Sequence, residues 1–562
     1  FNDDYSNSTK NQSIEYQNNN LNKISNNFKS VINNLSDFMK IKQSEYNTLL
    51  MEKEKEIQKL KRDFNNINPD TYSMGLKSCR NIEPNMKKDV IIIGAGASGL
   101  MAGIAAAQNG HRVTILEKNE KAGKKIYITG KGRCNFTNVK DWGDFQDHIR
   151  TDVNFVSPAW HNLTPEGVMA LLKENGMPSV VERGDRAFPA SHMAGDVVDT
   201  LLRACTLSGV KVVTDCEVKT IDINARGFSL DGVQTSRKQL REREELTIEP
   251  VEYSCKKLVI ATGGLSYPGT GSTGDGYMWA QELGHSVDDC FPSLTALVPV
   301  GYKQDPSLAG EIKQAFRGRT VYGKTRERRI APLPKWYPIF EKHIERITPL
   351  SELGELFNGN NLDNVQLSLY VNGDLVQQEF GDIEFTDGGL EGPLGFMVSR
   401  RAVKALNDGH KVSLSIDLKP AVELEKLDQD VHAKWEEVID DERSKGQSFQ
   451  RLFRIMLGKL IPWNLTLAFL KMNGKVSVDT LASALKDWKM EVAGFVGFER
   501  CVVTAGGIST SEVTAKTLES KKQPGLYFAG EVLDMDADTG GYNLQLAFST
   551  GYLAGQSAAK SL

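Results

Sequence analysis

The stretch that most restricts this chain is Asp89–Leu100, DVIIIGAGASGL. Val90 to Ile93 are four consecutive β-branched residues, the pattern of a strand buried on both faces in a parallel sheet. They lead into Gly94-x-Gly96-x-x-Gly99 and an alanine-rich helix pattern. Each glycine has its own reason. The first permits a tight turn, the second lets backbone approach a pyrophosphate, and the third lets helix and strand pack closely. After a break at Asn109-Gly110 comes a second strand, RVTILE, and Glu117 closes it 18 residues after Gly99. An acid there accepts hydrogen bonds from a ribose. The spacing predicts a Rossmann βαβ unit, with Gly94, Gly96, Ala97, Ser98, Gly99, Glu117 and Lys118 at a dinucleotide.

This fingerprint does not separate NAD from FAD. Two later segments do. KLVIATGG predicts another buried strand ending at Thr262-Gly263-Gly264, and GLYFAGE a third ending at Gly530-Glu531. Gly540-Gly541 then opens a final helix through Tyr542 and Asn543. A late strand and helix that return to the first unit suit FAD, whose flavin end needs a second helix N-terminus to stabilise the anionic reduced ring. GTGSTG at Gly269–Gly274 also fits the glycine pattern, but it follows Tyr267-Pro268 rather than a strand. It reads as a loop that brings backbone close to flavin or substrate. With a single Rossmann unit, NAD(P)H can act only as a transient electron donor.

Composition narrows the remainder. The net charge of −4 gives no overall pull toward nucleic acid or membrane. The seven cysteines include no CxxC pair and the eight histidines no HExxH, so neither a disulfide framework nor a metal is expected. No apolar run is long enough to span a bilayer, and a cytoplasmic protein is the default expectation. Residues 1–85 differ from the rest: eleven of the first 34 are asparagine. Leu21, Ile24, Phe28, Val31, Leu35 and Phe38 alternate in spacings of three and four. That predicts either a coiled-coil arm suited to self-association or a disordered asparagine-rich tail. Met86 directly precedes the first strand and reads as the natural start of the catalytic unit.

The expected organisation is an interrupted α/β domain. Residues 86–290 and 496–562 form the dinucleotide-binding part, 291–420 a β-rich insertion, and 421–495 a helical one. Substrate specificity is expected in the insertion.

Five segments together, IIGAGASGLMAG, TGKGRCNFTN, ATGGLSYPGTGSTGDGY, AGGISTSEVTAKTLESKKQPGLYFAGEVLD and TGGYNLQLAFSTG, resemble the BaiN/YhiN-type flavoproteins, a family of NAD(P)/FAD-dependent oxidoreductases also called the aminoacetone oxidase family. The resemblance covers about residues 88 to 562. It implies a glutathione-reductase-type FAD domain with a β-barrel-like and helical insertion. It also implies NAD(P)H-driven reduction of a conjugated C=C bond, in a small enone-like molecule or in a uridine of ribosomal RNA. FTDGGLEGP departs from the commoner FTHxGLSGP form at Asp387 and Glu391.

The resemblance sets Gly130, Arg133, Cys134 and Asn135 beside the flavin. There Arg133 would stabilise developing negative charge, and Cys134 would give a proton to the α-carbon. The alternative for Cys134 is a buried packing thiol. Tyr267, Tyr542 and His192 are further candidate donors. Lys118, Lys121, Lys124, Lys125, Lys131 and Arg133 place six cations in 16 residues, and Arg317, Arg319, Lys324, Arg326, Arg328 and Arg329 six in 13. These would be phosphate contacts for structured RNA, or a solvated face. An O2-using oxidase and a binding protein with a structural flavin also stay open.

Overall fold

A computed structural model describes residues 88–562, apart from 109, 241–242, 305–317, 323–327 and 333–341. The N-terminal arm lies outside the described residues, as do the side chains of the second cationic cluster.

Strand β1 (Lys88–Ile93) pairs in parallel with β2 (Val113–Leu116) on one side and with the end of the long strand Arg243–Ile260 on the other. Lys211–Val213 extends the sheet beyond β2, and Leu526–Phe528 adds alongside Leu258–Ile260, both in parallel. The interior strands carry uninterrupted apolar runs because both faces are covered. The earlier part of Arg243–Ile260 pairs antiparallel with Gly227–Leu240, which pairs with Cys216–Asn224.

Helix α1 (Ala97–Ala107) makes the first crossover, and all of its residues are buried. The cover on its outer side is the C-terminal helix, Tyr542–Lys560, which returns from the far end of the chain. The approach is close. A Cβ at Gly551 would lie 2.2 Å from the Ser98 carbonyl oxygen, and one at Gly555 2.1 Å from that of Ala102.

The chain leaves this domain through Val287–Ser293 and re-enters through Val503–Ile508, and the two pair antiparallel. Between them six strands close into a barrel: Leu297–Pro299, Leu390–Glu391, Asp374–Phe385, Asn361–Val371, Val412–Asp417 and Trp488–Phe495. Helices Leu424–Asp440, Phe449–Leu457, Thr466–Asn473 and Val478–Lys486 occupy the stretch expected to be helical. Trp488–Phe495, which the sequence reading grouped with those helices, is a barrel strand whose residues largely alternate between buried and exposed. No glycine or proline separates it from the preceding helix, so the change of period is its one local signal. The barrel and its helices bury their own apolar core, separate from that of the α/β part.

Candidate cofactor and substrate site

A cavity of about 500 Å³ opens where the parallel strands end, the usual crevice for ligands in an open α/β sheet. Its floor is the turn from β1 into α1, Gly94 to Ser98. Gly94 holds φ +102°, and a Cβ there would lie 2.5 Å from the Ala261 carbonyl oxygen. At Gly99 the clash would be 1.9 Å, with the Gly94 oxygen. Gly96 is different: it has ordinary extended backbone, and a Cβ would meet nothing within 4 Å. The backbone beside Gly96 is therefore open to close approach from the cavity. No side chain caps α1, and a helix start of this kind suits an anion.

One end of the cavity is organised by Glu117. Its carboxylate accepts the Ala95 N–H at 2.8 Å and the Asn119 backbone N–H at 2.8 Å. Asn119 in turn donates to the Thr270 carbonyl oxygen at 3.0 Å. Thus the second glycine loop closes over the Glu117 end. Lys118 pairs with Asp275 at 2.6 Å and also reaches Thr273.

At the other end Thr539, Gly540, Gly541 and Asn543 line the wall. Gly541 is the N-cap of the C-terminal helix, with φ +97° and no side-chain cap. Asn543 folds this loop by bonding the Ala537 N–H and carbonyl at 2.9 and 2.8 Å. Two ion pairs anchor the same loop. Asp536, fully buried, accepts from Arg400 of helix Gly392–Asn407 at 2.7 and 3.0 Å. Asp538 accepts from Arg150 at 2.6 Å and lies 3.0 Å from His148. Asn135 also lines this end, and its buried Oδ1 has no partner among the described residues.

Glu531 binds Lys125 at 2.6 Å, the Ser266 hydroxyl at 2.6 Å and the Thr504 N–H at 2.7 Å. It ties three segments together along the cavity wall. Thr262, Gly263 and Gly130 also line the cavity. Gly264 and Gly530 instead pack against Thr504 and Ser98.

The structure does not bring the expected proton donor to the site. Cys134 is fully buried in the core and absent from the cavity wall, and burial pushes its thiol up to about 12. The loop turns it inward: Gly130, Lys131, Gly132 and Cys134 all hold positive φ. Arg133 is also off the wall, paired with Glu182, hydrogen-bonded to His192 and lying 4.4 Å over the Phe188 ring. Tyr542 stacks on His148 at 4.3 Å and does not line the cavity. Tyr267 does line it, and burial raises its phenol above its ordinary value.

Sequence reasoning missed the insertion's contribution to the cavity: Glu384 and Glu391 of the barrel and Phe396 of helix Gly392–Asn407, joined by Arg500 just after the last barrel strand. Asp387 and Glu391, the two departures noted in the FTDGGLEGP segment, both face Arg500. Lys131 reaches Glu384 across the cavity at 2.7 Å.

The residues fit FAD. The space beside Gly96, the uncapped N-terminus of α1 and the orphaned Asn135 acceptor beside Gly541 lie along one cavity. Fold and site together define an FAD-dependent oxidoreductase. Residues 88–557 match the family described as HI0933-like protein Rossmann domain, and the chain belongs to that family. It is 28% identical to a 3-dehydro-bile acid delta(4,6)-reductase of Clostridium scindens, over 84% of this chain and 98% of that one. It is 29% identical to a ribosomal RNA dihydrouridine synthase of Escherichia coli, over 84% of this chain and 99% of that one. It is 26% identical to the protein of the same name from Haemophilus influenzae, over 82% and 96% of the two chains. Among the described residues no helix is long and apolar enough to cross a membrane.

Proposed function

We propose that this protein reduces a conjugated C=C bond in a small carbonyl-bearing molecule, with NAD(P)H as the electron donor. The observation that carries this reading is the extension of the cavity from the Gly540-Gly541 loop to Glu391 of the barrel and Phe396 of helix Gly392–Asn407, with Arg500 and Tyr267. The extension gives an acceptor a place between the loop and polar groups that donate hydrogen bonds or protons. Bound FAD supplies two-electron transfer as hydride. Gly94 to Ser98 would hold its diphosphate, Glu117 its ribose, and Asn135 and Gly541 its ring. Arg500 would orient the acceptor's carbonyl and stabilise charge that develops there. With Cys134 in the core, Tyr267 is the nearer candidate to protonate the α-carbon.

The names of the bile-acid and RNA relatives share one chemistry, saturation of a conjugated C=C bond. A uridine in RNA is thus the second reading. Of the six cations between Lys118 and Arg133, four already pair with carboxylates, which weakens it. Anaerobic titration of the flavin-loaded protein with NADH and then NADPH is the test. Bleaching of the visible flavin band identifies the donor. A band that neither donor bleaches sinks the nicotinamide-driven reading and moves a substrate-reduced oxidase forward.

A further inference from the structure

Five cationic side chains line the cavity: Lys118, Lys124, Lys125, Lys131 and Arg500. Four have carboxylate partners, which are Asp275, Glu531, Glu384, and for Arg500 both Asp387 and Glu391. Lys124 alone has no carboxylate within ion-pair distance among the described residues, and bonds the Asn119 amide oxygen at 3.3 Å. Asn119 is also the partner of Glu117. The uncompensated positive charge therefore sits at the dinucleotide end, where a diphosphate needs it. Among the described residues that line the cavity, the barrel end has no cation without a carboxylate partner; Lys303, off the wall, bonds backbone carbonyl oxygens, that of Asp387 among them.

The arrangement around Arg500 is specific. Its Nε lies 3.1 Å from Glu391 Oε1, within ion-pair range but outside hydrogen-bond geometry, so that buried oxygen has no hydrogen-bond partner. Glu391 is 8% exposed and is the N-cap of helix Gly392–Asn407, yet its side chain does not cap that helix. It faces the cavity instead. Asp387 takes Arg500 Nη1 and lies 3.5 Å from Arg346. Burial opposes its ionisation, but Arg500 and Arg346 together hold its carboxyl below the ordinary range. Burial keeps Glu391 above that range against the pull of Arg500 and the Thr386 hydroxyl, with Asp387 and Glu384 adding to the rise. Tyr267 and Tyr302 also feel Glu391, and Lys303, bonded to the Asp387 carbonyl oxygen, feels Asp387, Arg500 and Arg346.

We propose that the Asp387–Arg500–Glu391 cluster determines substrate specificity, admitting an uncharged carbonyl compound and turning away carboxylates and phosphates beside the reacting bond. The inference rests on the C=C-reductase reading for the kind of ligand and deepens it. A guanidinium has five N–H donors, so Arg500 can still donate to a neutral carbonyl while its charge is spent on two carboxylates. An anion at the same place meets the Glu391 carboxyl on the cavity wall and an Arg500 already held by Asp387, and it displaces water without a free counter-charge among the described lining residues.

The test is a matched pair of probes with one ring skeleton, acetylcyclohexene and cyclohexenecarboxylate. Each is titrated into flavin-loaded full-length protein and followed by the perturbation of flavin absorbance. The wild type is expected to bind the ketone at least about tenfold more tightly than the carboxylate. The double variant Asp387→His with Glu391→Ser frees Arg500, and the preference is expected to vanish or invert. If that variant does not keep flavin, Arg500→Gln takes its place and is expected to weaken the ketone by about tenfold. Equal binding of both probes by the wild type overturns the proposal, as does an unchanged preference in a flavin-loaded variant, or no binding of either probe to either protein. Binding of the carboxylate to the variant, with no binding of the ketone to the wild type, keeps the cluster as the charge selector and refutes the enone reading alone.

Discussion

Gly96→Ala separates the cofactor's need for space from the fold's. The added methyl meets nothing within 4 Å, and the φ of −81° and ψ of −169° at this residue suit any amino acid. Losing glycine as the N-cap of α1 costs about 0.5–1 kcal/mol. Reduced freedom of the unfolded chain returns about 0.4–1 kcal/mol. The apoprotein should therefore melt where the wild type does. The same methyl stands where the diphosphate must approach backbone, so FAD affinity should fall by about a hundredfold, roughly 2.7 kcal/mol. Linkage makes this visible in thermal melts. With free FAD at one hundred times the wild-type Kd, the wild type gains about 2.7 kcal/mol and the variant only about 0.4 kcal/mol. Gly99→Ala is the control, because its methyl would fall 1.9 Å from the Gly94 oxygen and destabilise the apoprotein itself. A Gly96→Ala protein that retains FAD with wild-type affinity would refute the placement of the diphosphate.

Asp536→Ala leaves the Arg400 guanidinium without its buried partner, and should lower stability by about 3–5 kcal/mol in urea denaturation. A loss below about 1 kcal/mol would show that this pair does not anchor the Gly540 loop. Cys134→Ala should keep kcat well within the hundredfold that removal of a general acid costs at a minimum, roughly 10², because the thiol is buried off the cavity wall. A larger fall in steady-state turnover would return Cys134 to the chemistry. Burial raises the Glu391 carboxyl above its ordinary 4.5, so the folded state holds that proton to higher pH than the unfolded state does. This contribution to stability is present at low pH and is lost as pH rises from 4.5 through the folded value. Glu391→Gln lacks the loss, so its melting temperature should gain on the wild type across that window, and a difference that stays flat with pH refutes the assignment.

The parts of this protein that were legible in its sequence are those whose requirements are local. Gly94 and Gly99 answer to a turn and a close helix approach within six residues, and a Cβ at either would strike backbone. Glu117 lies at the end of its strand for the same reason, since strand length sets its reach. The C-terminal helix was legible as the FAD-side partner, although only its packing on α1 explains Gly551 and Gly555.

Position in sequence does not give the direction of a side chain, and Cys134 shows it. It adjoins Asn135, which lines the cavity, but left-handed backbone on either side of Arg133 turns the thiol into the core. The Asp387–Arg500–Glu391 cluster shows it again. Arg500 is 109 residues from Glu391, with five α-helices and two barrel strands between them. No spacing rule joins them, because their meeting depends on closure of the barrel. The sequence alone determined the cofactor end of this protein, through backbone constraints that short segments satisfy by themselves. The substrate end was decided only by the tertiary structure, because its charges acquire their partners, and so their chemistry, when distant strands close into a ring.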